Sequence, residues 1–284
     1  LARRSGVPDS DQGIEGSNPS SPAIPSPVNQ VGFGLTPSRY TSIVISDMVV
    51  QQNVDGRELD VHQAAQLLSL RPRSVLRLIR DGELPARKEF GRWRILRSDV
   101  EVRRELGSRG GRRYSPAQAW GLIAIVSGGQ APWLDRVSRW RIERQLDGRS
   151  LEELRSALAD RGRAHRYAAH PDSIARLGAM AGVMLSGLPG AAASGVGVIA
   201  SSEHYEAYLP ASTLAEAVRE HHLREDLEGS IILRPVVAGA LPRPWPAVAP
   251  RLAVALDLLE SRDPRARQVG RDLLAELQDA WRSR

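Results

Sequence analysis

Residues 59–87 read L-D-V-H-Q-A-A-Q-L-L-S-L-R-P-R-S-V-L-R-L-I-R-D-G-E-L-P-A-R, and residues 91–101 read G-R-W-R-I-L-R-S-D-V-E. Asp60 stands where a helix start wants a short acceptor side chain. Ala64, Ala65, Leu67 and Leu68 then recur with helical spacing, so a helix is expected over 62–68. Ser69-Leu70-Arg71 is a tight turn. A second helix is expected over 72–80: Pro72 suits a first turn, and Val75, Leu76 and Ile79 form its expected buried stripe. Asp81-Gly82 ends it, because glycine tolerates a left-handed cap. Residues 84–95 alternate about Gly91 as a small two-stranded hairpin does, and Ser98 or Asp99 is placed to cap a third helix over 100–106.

Without a gap from 59 to 106, this run resembles the excisionase-like, MerR-related winged helix-turn-helix family. Two positions depart from its pattern. Pro72 opens the second helix where a small or polar residue is more usual, and Phe90 stands where the family generally has a polar or small one.

The resemblance implies a second helix that enters the major groove of double-stranded DNA and shows its outward positions to base edges. With Val75, Leu76 and Ile79 turned inward, Arg71, Arg73, Ser74, Arg77 and Arg80 are left outside. Arginine is the commonest bidentate reader of guanine, so Arg73 and Arg77 are the expected base contacts. Arg71 and Arg80, nearer the helix ends, are expected at phosphates. On the wing, Arg87, Lys88, Arg92 and Arg94 are expected to track the backbone or reach the minor groove. Trp93 is read as wing core, and His62 as polar surface.

The charge is gathered in the same region. Residues 57–113 carry 15 basic and 8 acidic side chains, a balance of +7 against +6 for the whole chain of 284 residues. The rest is close to neutral, and a localised positive field is what a polyanion-binding module requires. Lys88 is the sole lysine among 39 basic residues, a bias read as genome composition rather than function. The chain has no cysteine, which excludes disulfide scaffolds, thiolate metal sites and thiol catalysis. No apolar run reaches the ~18 residues of a membrane span. No membrane partner is expected, and the expected location is the cytoplasm, at the nucleoid.

Residues 1–47 are rich in Pro, Ser, Gly and Asn, lack helical or strand periodicity, and are expected to be disordered. They lack the basic region followed by an apolar region that makes a signal peptide. Glu15-Gly16-Ser17-Asn18-Pro19-Ser20 can be encoded as GAG GGT TCG AAT CCC TCT, which spells the stem, loop and complementary stem of the TΨC arm of a tRNA gene. The expectation is a frame extended upstream through such a gene, with translation starting at Met48.

The organisation expected is mixed α/β and multi-domain: a winged helix-turn-helix over 57–106, a basic linker over 107–114, an α-helical segment over 115–162, and an α+β domain over 163–284. Helices are expected over 115–126, 132–146 and 150–160, the last opened by the capping box of Ser150 and Glu153. Beyond these, strands are expected at 165–170, 183–185, 205–209 and 230–236. Further helices are expected at 174–177, 213–223 (with a Thr213/Glu216 capping box), 248–260 and 264–281. Arg139, Arg141 and Arg144 are read as a charged helix face. The small-residue segment 186–193 lacks the Gly-Lys-Ser/Thr of a phosphate loop and is read as close helix–strand packing. His170, His204, His221 and His222 lie near Glu203, Glu206, Glu225 and Asp226 without any catalytic or metal spacing. On a helix, His221 and His222 would point about 100° apart. No enzyme activity, cofactor or metal is expected.

The order of elements, with V-M-L-S-G-L-P-G-A-A-A at 183–193 and E-A-Y-L-P at 206–210, resembles the antitoxins of type IV toxin–antitoxin pairs. That implies an autorepressor whose C-terminal domain meets a toxin. The alternative is an excisionase-like factor that bends attachment-site DNA. One such unit reads too few base pairs for high specificity, so a second contact or a homodimer is expected. Leu252, Leu256, Leu259, Leu273, Leu274 and Leu277 either pair between chains or pack within their own domain.

Overall fold

The computed structural model describes residues 57–107, 112–199, 201 and 203–284. The readings of residues 1–47 and of linker residues 108–111 lie outside these residues.

The quoted run begins with β1 (Glu58–Leu59) and α1 (Val61–Leu68). Asp60 caps α1 by accepting from the backbone N–H of His62 and Gln63, and Gln63 closes the capping box. Ser69 turns the chain in the left-handed region (φ 53°) into α2 (Pro72–Arg80). The buried side of α2 is Val75, Leu78 and Ile79, whereas Leu76 is 42% exposed. This corrects the expected stripe: positions 75, 78 and 79 share one helical face, and 76 lies a quarter-turn away. Strands β2 (Arg87–Glu89) and β3 (Arg92–Leu96) pair antiparallel, with β1 on the far side of β3.

The next helix, α3 (Arg97–Leu106), begins at Leu96 without a side-chain cap. Neither Ser98 nor Asp99 serves as its N-cap; Asp99 lies inside the first turn and binds an arginine instead. Leu59, Ala64, Ala65, Val75, Leu78, Ile79, Leu84, Ile95 and Val100 form one small core, and Trp93 packs against it as expected.

The rest is a five-stranded sheet between helices. Three helical pieces precede it: α4 (Pro116–Val126), α5 (Arg136–Gly148) and α6 (Leu151–Leu154), which runs into a 3-10 segment, Arg155–Arg161. α5 starts later than its periodicity implied because Asp135 caps it at Ser138, leaving Trp133 to donate to the Ala117 carbonyl. The remaining elements are β4 (His165–Ala168), α7 (Pro171–Gly178), β5 (Met184–Leu185), α8 (Gly187–Ala193), β6 (Tyr205–Pro210), α9 (Leu214–Glu220), β7 (Arg224–Glu225), β8 (Ile231–Val236), α10 (Arg251–Leu259) and α11 (Pro264–Arg282). The sheet order is β5-β6-β8-β4-β7, with only β6 and β8 parallel.

Thr213 does not open a capping box. It lies in a 3-10 turn and donates to the Pro210 carbonyl, and the helix stops at Glu220 because His222 adopts φ 52°.

Both sheet faces are covered, which is why β6 and β8 read as nearly continuous apolar runs. Tyr205, Ala207, Leu209, Ile231 and Leu233 meet α7 and α9 on one side. On the other, α10 has every residue from Leu252 to Leu259 buried. Gly190 of α8 lies where a Cβ would come 2.8 Å from the Leu185 carbonyl oxygen, so the small-residue block serves close packing. The six leucines singled out in the closing helices are buried in this core together with Leu258, leaving any second copy to meet another surface.

Candidate nucleic-acid interface

The site is built on α2. Its N-terminus is Arg71 in extended backbone, followed by Pro72, whose fixed φ and missing donor suit the first helical position. With Val75, Leu78 and Ile79 facing inward, Arg71, Arg73, Leu76, Arg77 and Arg80 are exposed and Ser74 is half-buried. The side chains of Arg71, Arg73 and Arg77 make no hydrogen bond or ion pair among the described residues. Arg80 contacts its neighbour Asp81 at 3.3 Å. α2 therefore presents three unengaged guanidinium groups on one exposed surface, with Leu76 among them. The expected stripe puts Leu76 in the core; the spacing of 75, 78 and 79 carries the signal for the correct phase.

The hairpin divides its cations into two kinds. Arg87 donates to Glu58 at 2.8 Å and lies 3.5 Å from Glu89, while Arg94 lies farther from the same two acids, at 4.0 and 3.9 Å. These two are held to the sheet. Lys88 sits with its ammonium 5.8 Å from the Trp93 ring centre, and Arg92 has no partner among the described residues. Glu89 pairs with Arg92 across the strands, so Phe90-Gly91 forms the two-residue turn. Phe90 has φ 46°, Gly91 has φ 80°, and the Phe90 side chain is fully exposed. A phenylalanine held in the left-handed region with no cover is unusual on both counts.

The unit is fastened to the sheet-bearing body through α3 and its flanks. Asp99, 6% exposed, accepts two hydrogen bonds from Arg262 at 2.6 and 2.7 Å, and Glu105 accepts two from Arg267 at 2.8 Å each. Arg103 and Arg113 both bind Glu83, and Arg155 donates to the Leu106 carbonyl. The Arg267 contact holds the Glu105 carboxyl below its ordinary range, outweighing the opposing effect of partial burial. Of the run on α5, Arg139 is near Glu143 and Arg144 stacks on Trp140, so part of that face is internally matched.

Among the described residues no group of three or more His, Asp or Glu is placed to hold a metal, and no helix is long and apolar enough to cross a membrane. His170 and Asp172 are an exposed pair, and His221 is buried with both ring nitrogens unpartnered.

A helix-turn-helix domain family matches residues 58–105, the span from β1 almost to the end of α3. No curated protein and no solved structure matches the chain.

Proposed function

We propose that the protein is a sequence-specific transcriptional regulator that binds double-stranded DNA through α2 and the β2–β3 hairpin and represses its own operon. The observation that carries this reading is the face of α2: Arg71, Arg73 and Arg77 exposed and unengaged on the second helix of a helix-turn-helix. Arg73 and Arg77 read base edges, Arg71 and Arg80 hold phosphates, and Ser74 supports them. The hairpin acts as a wing, with Lys88, Arg92 and Phe90 nearest the DNA while Arg87 and Arg94 keep its shape. The body is a regulatory or partner-binding domain, the part that would meet a toxin if the operon encodes one, and it carries no catalytic role.

The test is DNase footprinting of the whole chain on DNA upstream of its own gene, with Arg77→Ala alongside. A protected repeat that the variant loses or relaxes supports autorepression. Equal affinity for scrambled DNA would overturn the reading. Protection only at a distant attachment-like site would favour the excisionase-like alternative.

A further inference from the structure

The β2–β3 hairpin ends in a very tight connection. Glu89 and Arg92 are its last cross-strand pair, and only Phe90 and Gly91 lie beyond them. Both have positive φ, 46° and 80°, the pattern of a turn that asparagine followed by glycine serves best. Phenylalanine suits it poorly, because in the left-handed region its Cβ crowds the following carbonyl. Nothing within the fold offsets that strain: the ring is fully exposed, and no other ring or cation stacks on it among the described residues.

Behind the tip the hairpin is held on both faces. Alternation along the strands puts Arg87, Glu89, Arg92 and Arg94 on one face and Lys88 and Trp93 on the other. On the first, Arg87 and Arg94 share Glu58 and Glu89. On the second, Trp93 packs against the helix-turn-helix core. Glu89 is the only acid between Leu84 and Ile95, and those two arginines occupy it. Lys88 and Arg92, neither in an ion pair among the described residues, stand two positions before and two after Phe90. The hairpin is thus a stiff, cationic arm that ends in a bare aromatic ring.

Double-stranded DNA meets both needs of such an arm. It offers phosphates to the cations and flat apolar surfaces, the faces of its base pairs, to the ring. A second copy of the chain would oppose cations with cations.

We propose that Phe90 inserts its ring between two stacked base pairs from the minor groove, with Lys88 and Arg92 at the flanking phosphates. The chain then selects a base step that it does not read by hydrogen bonds. This insertion presupposes that α2 and the hairpin bind DNA as proposed above, and adds to them a second kind of sequence selection. Opening a step is easiest where stacking is weak and kinking ready, at the pyrimidine–purine steps TA and CA/TG. The operator is defined twice, by Arg73 and Arg77 at base edges in the major groove and by deformability under the hairpin. A single helix-turn-helix unit, which reads few base pairs, gains specificity from the second.

The test uses the full chain on its footprinted DNA, with 2-aminopurine placed in turn at each step in and beside the protected repeat. Wild type is expected to raise the fluorescence at one step per repeat and to kink the duplex there by roughly 20–90°. Phe90→Asn, which suits the turn, is expected to protect the same repeat without the rise and without the kink. Phe90→Leu, which keeps an apolar wedge, should retain part of both. Exchanging a TA step at that position for AA should weaken wild-type binding by on the order of tenfold and leave Phe90→Asn unaffected. An equal rise and kink with Phe90→Asn would overturn the proposal, as would a wild-type complex in which no step is unstacked. In either case a footprint that Arg77→Ala loosens keeps DNA binding by α2 and removes the insertion alone. A wild type without preference for any DNA removes both.

Discussion

Phe90→Asn is expected to make the protein more stable and a poorer DNA binder. Phe90 occupies the first position of a two-residue turn with φ 46°, and its side chain, fully exposed, has no packing to lose. A non-glycine residue in that region costs roughly 1–3 kcal/mol, and asparagine before glycine is the favoured pair for such turns. Replacing phenylalanine should recover about 1 kcal/mol, or roughly 2–4 °C in Tm for a unit of this size. If DNA covers half of a phenylalanine, about 100 Å², the contact contributes about 2.5 kcal/mol at ~25 cal/mol per Å². That is about sixtyfold in Kd at ~1.4 kcal/mol per decade. Urea unfolding and fluorescence anisotropy on the footprinted DNA read the two quantities from one preparation. A destabilised variant would show that the ring has cover or that the turn is not strained. A stabilised variant with unchanged affinity would take the hairpin tip off the DNA.

Arg262→Met removes the partner of the buried Asp99 carboxylate, and unfolding in urea should show a loss of about 2–3 kcal/mol. The α3 N-terminus offsets part of the cost, and adding Asp99→Asn should return most of it. Gly187→Ala should cost about 2 kcal/mol or more, since Gly187 has φ 54° and a Cβ there would meet the Glu206 carboxylate; differential scanning calorimetry reads it. Burial raises the Glu206 pKa to about 7 in the folded protein, against an ordinary value of ~4.3. The native state then binds the extra proton, and stability should fall as pH rises from about 4.5 to 7. The groups facing Glu206 across this range are Arg234, Asp257, Arg166 and, in the cleft beside it, Glu260 and His204. Glu206→Gln should flatten that slope in the difference between variant and wild-type unfolding curves, and an unaltered slope would assign it elsewhere.

Where a rule acts over three or four residues, the chain is legible. Asp60 announces α1 and Ser150 with Glu153 the start of α6, because a local donor must find a local acceptor, and Pro72 marks the start of α2 because its fixed φ and missing donor fit the first helical position. Asp99 misleads for the same reason: its type and position fit a cap, yet its partner is Arg262, 163 residues away. The exposed arginines of α2 follow from helical phase, although Leu76 and Leu78 exchange places because both phases offer apolar residues. The polar layer under α10 has no local signal of that kind. Arg161 and Asp257 are 96 residues apart, and only the fold joins them. Its trace in the sequence is one charged residue inside each of two otherwise apolar strands, Glu206 in YEAYLP and Arg234 in IILRPV. Such a residue in a strand covered on both faces has to find a buried partner.

The α3 helix ties these observations together. Val100 faces the helix-turn-helix core, while Asp99 and Glu105 on its polar side are gripped by Arg262 and Arg267. An attachment made largely of ion pairs specifies an orientation more than it adds net stability, because desolvation offsets much of the Coulomb gain. An orientation held in this way is sensitive to nearby charge. Arg262 holds the Asp99 carboxylate at 2.6 and 2.7 Å, and a charge that competed for that guanidinium would loosen the start of α3. A coupling of 1–3 kcal/mol, the usual range between distant sites, needs only a partial change in that one contact. An apolar attachment of equal strength would have no comparable way to respond.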